Sequence, residues 1–125
     1  MCGIAGLFRL AGIDESPIPY MIRALEHRGP DGEHITRVVN SSQEPIAAVG
    51  VRRLAIVDPE HGQQPVWDES QKVLVALNGE IYNHGRLRTE MQGGGRHFRS
   101  TCDSEVVANQ IAISGLKSAL RHMQG

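Results

Sequence analysis

The 125-residue sequence contains little cysteine, few aromatic residues and no excess of charge of one sign. Its two cysteines, Cys2 and Cys102, are too few for a disulfide scaffold. Thirteen lysines and arginines against fourteen aspartates and glutamates give a formal charge of -1, which argues against nucleic acid or an anionic membrane as a partner. With 4% aromatic residues, the core must be mainly aliphatic, and base-stacking platforms are not expected.

The sequence also lacks targeting and metal-binding patterns. No apolar run approaches the about 20 residues that span a bilayer, and the first residues have neither a cationic nor a long apolar signal region. We therefore expect a cytoplasmic protein. Six histidines and two cysteines show no ligand spacing such as CxxC or HxxxH, so we expect no bound metal.

Patterns of apolar residues divide the sequence into strands and helices. Strands are predicted over residues 2–10, 34–39, 46–57 and 73–77, the third with an interruption at Arg52-Arg53. Helices are predicted to begin near residues 17, 83, 103 and 116. Their apolar positions are Ile18, Met21, Ile22 and Leu25 in the first helix, Leu87 and Met91 in the second, Val106, Val107 and Ile111 in the third, and Leu116, Leu120 and Met123 in the fourth. Strands in the first two-thirds of the chain, with helices before, between and after them, predict an α+β structure with mainly antiparallel sheets.

Local signals predict where several of these elements begin and turn. Ser16 and Asp103 are predicted helix N-caps, because their side-chain oxygens can accept backbone hydrogen bonds. The segment 28–32, Arg-Gly-Pro-Asp-Gly, predicts a tight turn whose two glycines can supply positive φ. Asn78-Gly79 is the dipeptide most typical of a β-hairpin turn.

Cysteine at position 2 permits a one-residue catalytic device. Removal of Met1 would leave a thiol and a free α-amino group on Cys2. An unperturbed α-amino group has a pKa of about 7.7–8.0, so near neutral pH it can take the thiol proton, directly or through water. From position alone, the commoner explanation is a small residue buried in the core.

Six short segments decide between these explanations: residues 1–6, 28–32, 53–58, 64–65, 78–83 and 103–106. In order and spacing they resemble the class II glutamine amidotransferases, the N-terminal-nucleophile family. The closest resemblance is to the glutaminase domain of glutamine-hydrolysing asparagine synthetase, although members that serve sugar-phosphate or phosphoribosyl acceptors are an alternative. Val51 and Gln63 depart from the usual form of the motifs, but neither is a residue to which the resemblance assigns chemistry.

The resemblance implies a catalytic group of Cys2, Asn78 and Gly79. Cys2 is expected to attack the side-chain amide of glutamine and form a γ-glutamyl thioester, which releases ammonia before water hydrolyses the ester to glutamate. The side-chain amide of Asn78 and the backbone N–H of Gly79 are expected to stabilise the oxyanion.

The resemblance also implies a binding site for L-glutamine. Arg53 is expected to bind the α-carboxylate, for which a guanidinium offers two parallel donors, and Asp103 the α-ammonium. From the residues alone, Arg53 is equally an exposed edge-strand residue and Asp103 a helix cap. The remaining pocket residues are expected to be Leu54, Ala55, Ile56, Val57 and Glu80. The 28–32 segment resembles a loop that lies beside the substrate in the family. We expect it to be a secondary site, after the catalytic and glutamine-binding residues.

For the fold, the resemblance implies an αββα sandwich of two antiparallel sheets. Residues 1–125 are expected to form a partial type-2 glutamine amidotransferase domain, incomplete at the C-terminus and without a synthetase domain. The glutaminase step is expected to need no cofactor, and ATP and Mg would belong only to the missing synthetase domain. A synthetase domain or subunit is the expected acceptor of ammonia. The alternative is a catalytically silent, truncated remnant that acts as a glutamine-binding or regulatory interaction fragment.

Overall fold

A computed structural model describes residues 2–9, 12–55, 58 and 60–125. The chain divides into two compact units, the first spanning residues 1–55 and the second residues 56–125. Across the described residues the structure is mixed α and β, and every strand pairing is antiparallel, as predicted. No helix in these ranges is both long and apolar enough to cross a membrane.

The first unit is a three-stranded antiparallel sheet with one helix, and the strand order is β1-β3-β2. Its elements are β1 (Gly3–Phe8), α1 (Ile18–Ala24), a single 3-10 turn (Glu26–Arg28), β2 (Gly32–Val39) and β3 (Pro45–Arg53). The central strand β3 pairs Gly50 with Ala5 on one side and with Ile35 on the other. The predicted strand 46–57 therefore ends at Arg53, and positions 56 and 57 lie outside the described residues.

Helix α1 packs its apolar stripe on one face of this sheet. Ile18 and Ile22 are buried against Ala5 and Ala48, and Leu25 packs on this cluster, as the spacing predicts. Met21, the fourth residue of the predicted stripe, is exposed instead. A Cβ atom at Gly50 would collide with the Ile22 side chain, so the glycine lets the helix approach the sheet closely.

Two local predictions in the first unit are wrong. Ser16 does not cap α1, because the N-cap position is Pro17, while the Ser16 N–H donates to the Asp14 carboxylate at 3.0 Å. The 28–32 segment contains the predicted turn, at residues 30 and 31, but its glycines do not supply positive φ, and Gly29 has a φ of -152°. The need for glycine there is spatial, because an added Cβ would collide with the backbone of Arg52.

The second unit pairs two short strands with three helices. Its elements are β4 (Val66–Trp67), β5 (Leu74–Val75), α2 (His84–Gly93), α3 (Asp103–Ser114) and α4 (Leu116–His122). β5 is shorter than the strand predicted over residues 73–77, and β4 lies in a part of the chain for which no strand was predicted. The core of this unit consists of Leu87, Met91 and Val106, against which Phe98 and Met123 pack.

The starts and faces of α3 and α4 differ from the sequence pattern. Cys102 rather than Asp103 is the N-cap of α3, so the predicted cap lies one residue inside the helix. In α4, Leu116 and Leu120 are 57% and 60% exposed, whereas Ala119 is fully buried. A small residue therefore forms the packed face of α4, which contacts α3.

Asp68 organises the connection between β4 and β5. The carboxylate is fully buried and accepts hydrogen bonds from the Ser70 hydroxyl and from the backbone N–H groups of Ser70, Lys72 and Val73. Burial by itself raises the pKa of Asp68, but these donors outweigh it and lower the pKa to about 2. The turn is thus built on an ionised buried carboxylate.

Candidate functional site

The Cys2 thiol lies against the backbone that follows β3. Cys2 is half-buried, and its Sγ accepts a hydrogen bond from the Leu54 N–H at 3.4 Å. The same sulfur lies 3.9 Å from the Leu54 carbonyl oxygen, to which the thiol can donate. The predicted nucleophile and the predicted pocket residues Leu54, Ala55 and Arg53 therefore meet at one end of the first sheet.

The 28–32 segment supports both parts of this arrangement. The Arg28 Nε donates to the Cys2 carbonyl oxygen at 3.3 Å. The Asp31 carboxylate accepts from the Ala55 N–H at 2.8 Å, and the Asp31 N–H donates to the Arg53 carbonyl oxygen at 3.1 Å. This segment, which the sequence predicts only as a secondary site, connects the predicted nucleophile to the predicted pocket.

Two adjacent arginines end β3, and they differ in environment. Arg52 is buried and forms ion pairs with Glu33 at 2.9 Å and with Glu26 at 3.3 Å, while its Nε donates to the Gly29 carbonyl oxygen. Its charge is therefore compensated by two carboxylates of the same unit. Arg53, the predicted ligand of the substrate carboxylate, is half-buried at the last position of the strand.

Asn78, Gly79 and Glu80 form an exposed bend between β5 and α2. No strand follows β5 in the described part of the chain, so the hairpin turn expected from Asn78-Gly79 is wrong. The bend leads into α2, in agreement with the helix start predicted near residue 83. Within the described ranges, the Asn78 carboxamide makes no hydrogen bond, which leaves its donors exposed.

Asp103 is buried at the first position of α3, with 5% of its surface exposed. Its Oδ2 accepts from the Ile81 N–H at 2.9 Å, and its Oδ1 accepts from the Ser104 N–H at 2.8 Å. The carboxylate thus holds the chain one residue after the bend formed by residues 78–80. The second unit brings Asp103 into contact with the segment that carries Asn78, Gly79 and Glu80.

Sequence reasoning missed the role of Gln64 on the other side of this bend. Gln64 is 7% exposed, and its Oε1 accepts from the Leu77 N–H at 2.6 Å. Leu77 immediately precedes Asn78. The only sequence signal for Gln64 was its place in the short Gln-Pro segment of the resemblance, because composition and periodicity assign no function to a single glutamine.

Asp58 anchors the loop that leads into α3. Its carboxylate accepts from the Thr101 N–H at 2.7 Å, from the Thr101 hydroxyl at 3.0 Å and from the His61 N–H at 3.0 Å. The Thr101 backbone bond, followed by the His61 backbone bond, lowers the pKa of Asp58 to about 2. Asp58 therefore stays ionised across the neutral and mildly acidic range.

The predicted site residues fall into two sets, one in each unit. Cys2, Arg53, Leu54 and Ala55 belong to the first unit, while Asn78, Gly79, Glu80 and Asp103 belong to the second. Ile56 and Val57, the other two predicted pocket residues, lie outside the described residues. Among the side chains that the structure describes, no three His, Cys, Asp or Glu residues form a group that could hold a metal ion.

Comparison with known families decides what kind of protein carries this arrangement. A family model described as a glutamine amidotransferase domain matches residues 1–125. The chain belongs to the glutamine amidotransferase family. The sequence resemblance to this family is therefore confirmed. Cys2, Asn78 and Arg53 are thus residues of a glutamine amidotransferase domain.

Individual relatives of this glutamine amidotransferase domain are plant proteins. The chain is 38% identical over 112 residues to the glutamine-hydrolyzing asparagine synthetase 2 of Oryza sativa subsp. japonica. It is 40% identical over 116 residues to the glutamine-hydrolyzing asparagine synthetase 2 of Arabidopsis thaliana. Each alignment covers 87% of this chain and 18% of the relative, so the chain spans about a fifth of the length of these curated relatives.

Proposed function

We propose that this chain carries out the glutaminase half-reaction of a class II glutamine amidotransferase, hydrolysing L-glutamine to glutamate and ammonia. The observation that carries the proposal is the hydrogen bond between the Leu54 N–H and the Cys2 Sγ. It places a half-buried thiol beside the segment that begins with Arg53. Leu54 directly follows Arg53, the residue to which the proposal assigns the substrate carboxylate.

In the proposed reaction, the Cys2 sulfur attacks the side-chain carbonyl carbon of glutamine. The α-amino group of Cys2, exposed by removal of Met1, takes the thiol proton and passes it to the departing nitrogen. The C–N bond breaks, ammonia leaves and a γ-glutamyl thioester remains. Water then attacks the thioester, releases glutamate and returns the proton to the Cys2 sulfur, so the enzyme is regenerated.

Both attacks create a negatively charged oxygen that needs donors. We assign these donors to the side-chain amide of Asn78 and the backbone N–H of Gly79. The exposed, unbonded Asn78 carboxamide supports this assignment, because its N–H groups are available to a ligand. The loss of one such donor typically slows a reaction of this kind by about 100-fold to 1,000-fold.

Substrate binding in this proposal uses groups of both signs. Arg53 binds the α-carboxylate of glutamine, and Asp103 the α-ammonium. Asp103 keeps accepting from the Ile81 N–H in this role, since each carboxylate oxygen has two lone-pair sites. The remaining contacts are assigned to Leu54, Ala55, Ile56, Val57 and Glu80.

The names of the relatives support a wider proposal about context. We assign residues 1–125 to a type-2 glutamine amidotransferase domain of the αββα sandwich class, in which ammonia passes to a synthetase domain or subunit. The glutaminase step uses no cofactor in this scheme, and ATP and Mg act only at the synthetase.

The test is a glutamine hydrolysis assay on the purified chain and its Cys2→Ser and Cys2→Ala variants. The proposal predicts that the wild-type chain releases ammonia. Cys2→Ser should reduce the rate by about 100-fold or more, because a hydroxyl is a much weaker nucleophile at neutral pH. An unchanged rate in Cys2→Ala would overturn the proposal. Glutamine binding without turnover by the wild-type chain would favour the silent glutamine-binding fragment instead.

A further inference from the structure

The proposed oxyanion donors lie on a bend that has little packing of its own. Asn78, Gly79 and Glu80 are all exposed, and among the residues that the structure describes a Cβ at Gly79 would meet one atom, of Leu77, at 3.8 Å. Such a bend is not fixed by burial. Donors that stabilise a transition state must nevertheless be held in place before the charge develops.

Two buried side chains hold this bend from its two ends. Upstream, the Gln64 Oε1 accepts from the Leu77 N–H at 2.6 Å; downstream, the Asp103 Oδ2 accepts from the Ile81 N–H at 2.9 Å. Asp103 already has a proposed role as a ligand of glutamine. Gln64 has no proposed role so far. Its side chain is nevertheless buried, and its Oε1 accepts the N–H of Leu77, the residue directly before Asn78.

We propose that Gln64 is a positioning residue for the oxyanion donors, holding Leu77 so that the Asn78 amide and the Gly79 N–H face the developing charge. This inference rests on the proposed glutaminase function. A buried side-chain acceptor restrains the backbone at Leu77 more tightly than water would, because the bond does not exchange with solvent. The restraint acts on transition-state stabilisation rather than on glutamine binding.

The kinetic test compares Gln64→Met, Gln64→Glu and Gln64→Asn with the wild-type chain. Met keeps the length of the side chain but removes the acceptor, Glu keeps both, and Asn keeps the amide but shortens its reach. We expect Gln64→Met and Gln64→Asn to lower kcat by about 10-fold to 100-fold with KM nearly unchanged, and Gln64→Glu to recover most of that loss. Gln63→Met is the matched control. Gln63 is the neighbour of Gln64 in the chain, but its side chain is exposed and makes no described bond to the bend.

Circular dichroism establishes that each variant is folded. If Gln64→Met fails to fold, the kcat and KM of Gln64→Asn are compared with those of the wild-type chain instead. Wild-type kcat in a folded Gln64→Met or Gln64→Asn chain would overturn the proposal. A rise in KM alone would overturn it too, since that result assigns Gln64 to binding.

Amide hydrogen exchange separates this inference from the proposed function. Slow exchange of the Leu77 N–H in the wild-type chain, and faster exchange in Gln64→Met, is expected whether or not the chain turns over glutamine. An inactive wild-type chain that shows this protection would refute the glutaminase proposal but leave intact the restraint of Leu77 by Gln64. A Leu77 N–H that exchanges equally fast in both proteins would refute that restraint itself.

Discussion

The Cys2 thiol and the Leu54 backbone form a hydrogen-bonded pair between residues 52 positions apart in sequence, with the Leu54 N–H donating to Sγ at 3.4 Å. Leu54 directly follows Arg53 in the chain, so the proposed nucleophile is bonded to the backbone next to Arg53. Arg28 and Asp31 reinforce it, the first bonding the Cys2 carbonyl oxygen and the second the Ala55 N–H. The segment 28–32 is thus a structural support of the proposed site.

Gly29 in this segment is expected to be intolerant of a side chain. In Gly29→Ala the new Cβ would collide with the backbone of Arg52 and Arg53, which cannot move aside as a flexible side chain does. We expect a loss of about 2 kcal/mol or more in the free energy of unfolding, measured by urea denaturation. Gly32→Ala is the matched control, because a Cβ there meets nothing within 4 Å. Equal stability of the two variants would contradict the close approach at Gly29.

Arg53→Lys is expected to raise KM for glutamine by about 10-fold and to leave kcat largely unchanged. A lysine keeps the charge but loses the paired donors that match a carboxylate, so binding weakens equally in the ground state and the transition state. Steady-state kinetics of glutamine hydrolysis measure both constants. Arg37→Lys is the control, since Arg37 is exposed on β2 and pairs with Glu15. A fall in kcat with unchanged KM would remove Arg53 from the carboxylate site.

Asp68 predicts a specific loss of stability in acid. Its pKa in the folded chain, about 2, lies below the ordinary value of 3.8, so the folded state favours the ionised carboxylate. The resulting stabilisation, about 2 kcal/mol, is present above about pH 4 and is lost as the pH falls through about 2. In Asp68→Asn we expect lower stability near neutral pH and a smaller further loss on acidification.

Urea denaturation at about pH 7 and about pH 2 measures this difference. Exposed Glu60→Gln serves as the control that removes a carboxylate without this network. Asp58, whose pKa is also lowered to about 2, retains part of the acid sensitivity in the variant. Identical acid profiles for the wild-type chain and Asp68→Asn would contradict the role given to the buried carboxylate.

Much of the local structure could be predicted from the sequence, because it depends on neighbours in the chain. The stripe of Ile18 and Ile22 and the pair Leu87 and Met91 gave the buried faces of α1 and α2. The α4 helix shows where this reasoning ends. Its leucines are exposed because the close contact with α3 selects the small Ala119, and no single-helix pattern contains that information.

The site was less accessible to sequence reasoning because its supports are long-range. Gly29 looks like a turn residue until the Arg52 backbone, 23 positions away, is found beside it. Gln64 bonds to a residue 13 positions away, and no periodicity reports such a bond. The roles of Cys2 and Asn78 came from the family resemblance. Physical chemistry alone supplied only a cysteine near the start and a turn dipeptide.

The mature N-terminus provides a check on the proposed base. Intact-mass measurement of an active preparation should show that Met1 has been removed, because the α-amino group of Cys2 must be free to take the thiol proton. Full glutaminase activity in a preparation that retains Met1 would exclude the α-amino group as the base.

Hydrolysis of glutamine through a thioester on Cys2 is tested by trapping that intermediate. The purified chain is mixed with glutamine, quenched in acid during turnover and digested, and the N-terminal peptide is analysed by mass spectrometry. We expect one glutamyl group on the Cys2 sulfur, absent without glutamine, absent in Cys2→Ala and never found on the buried Cys102. Ammonia release with Cys2 unmodified and Cys2→Ala equally active would contradict it.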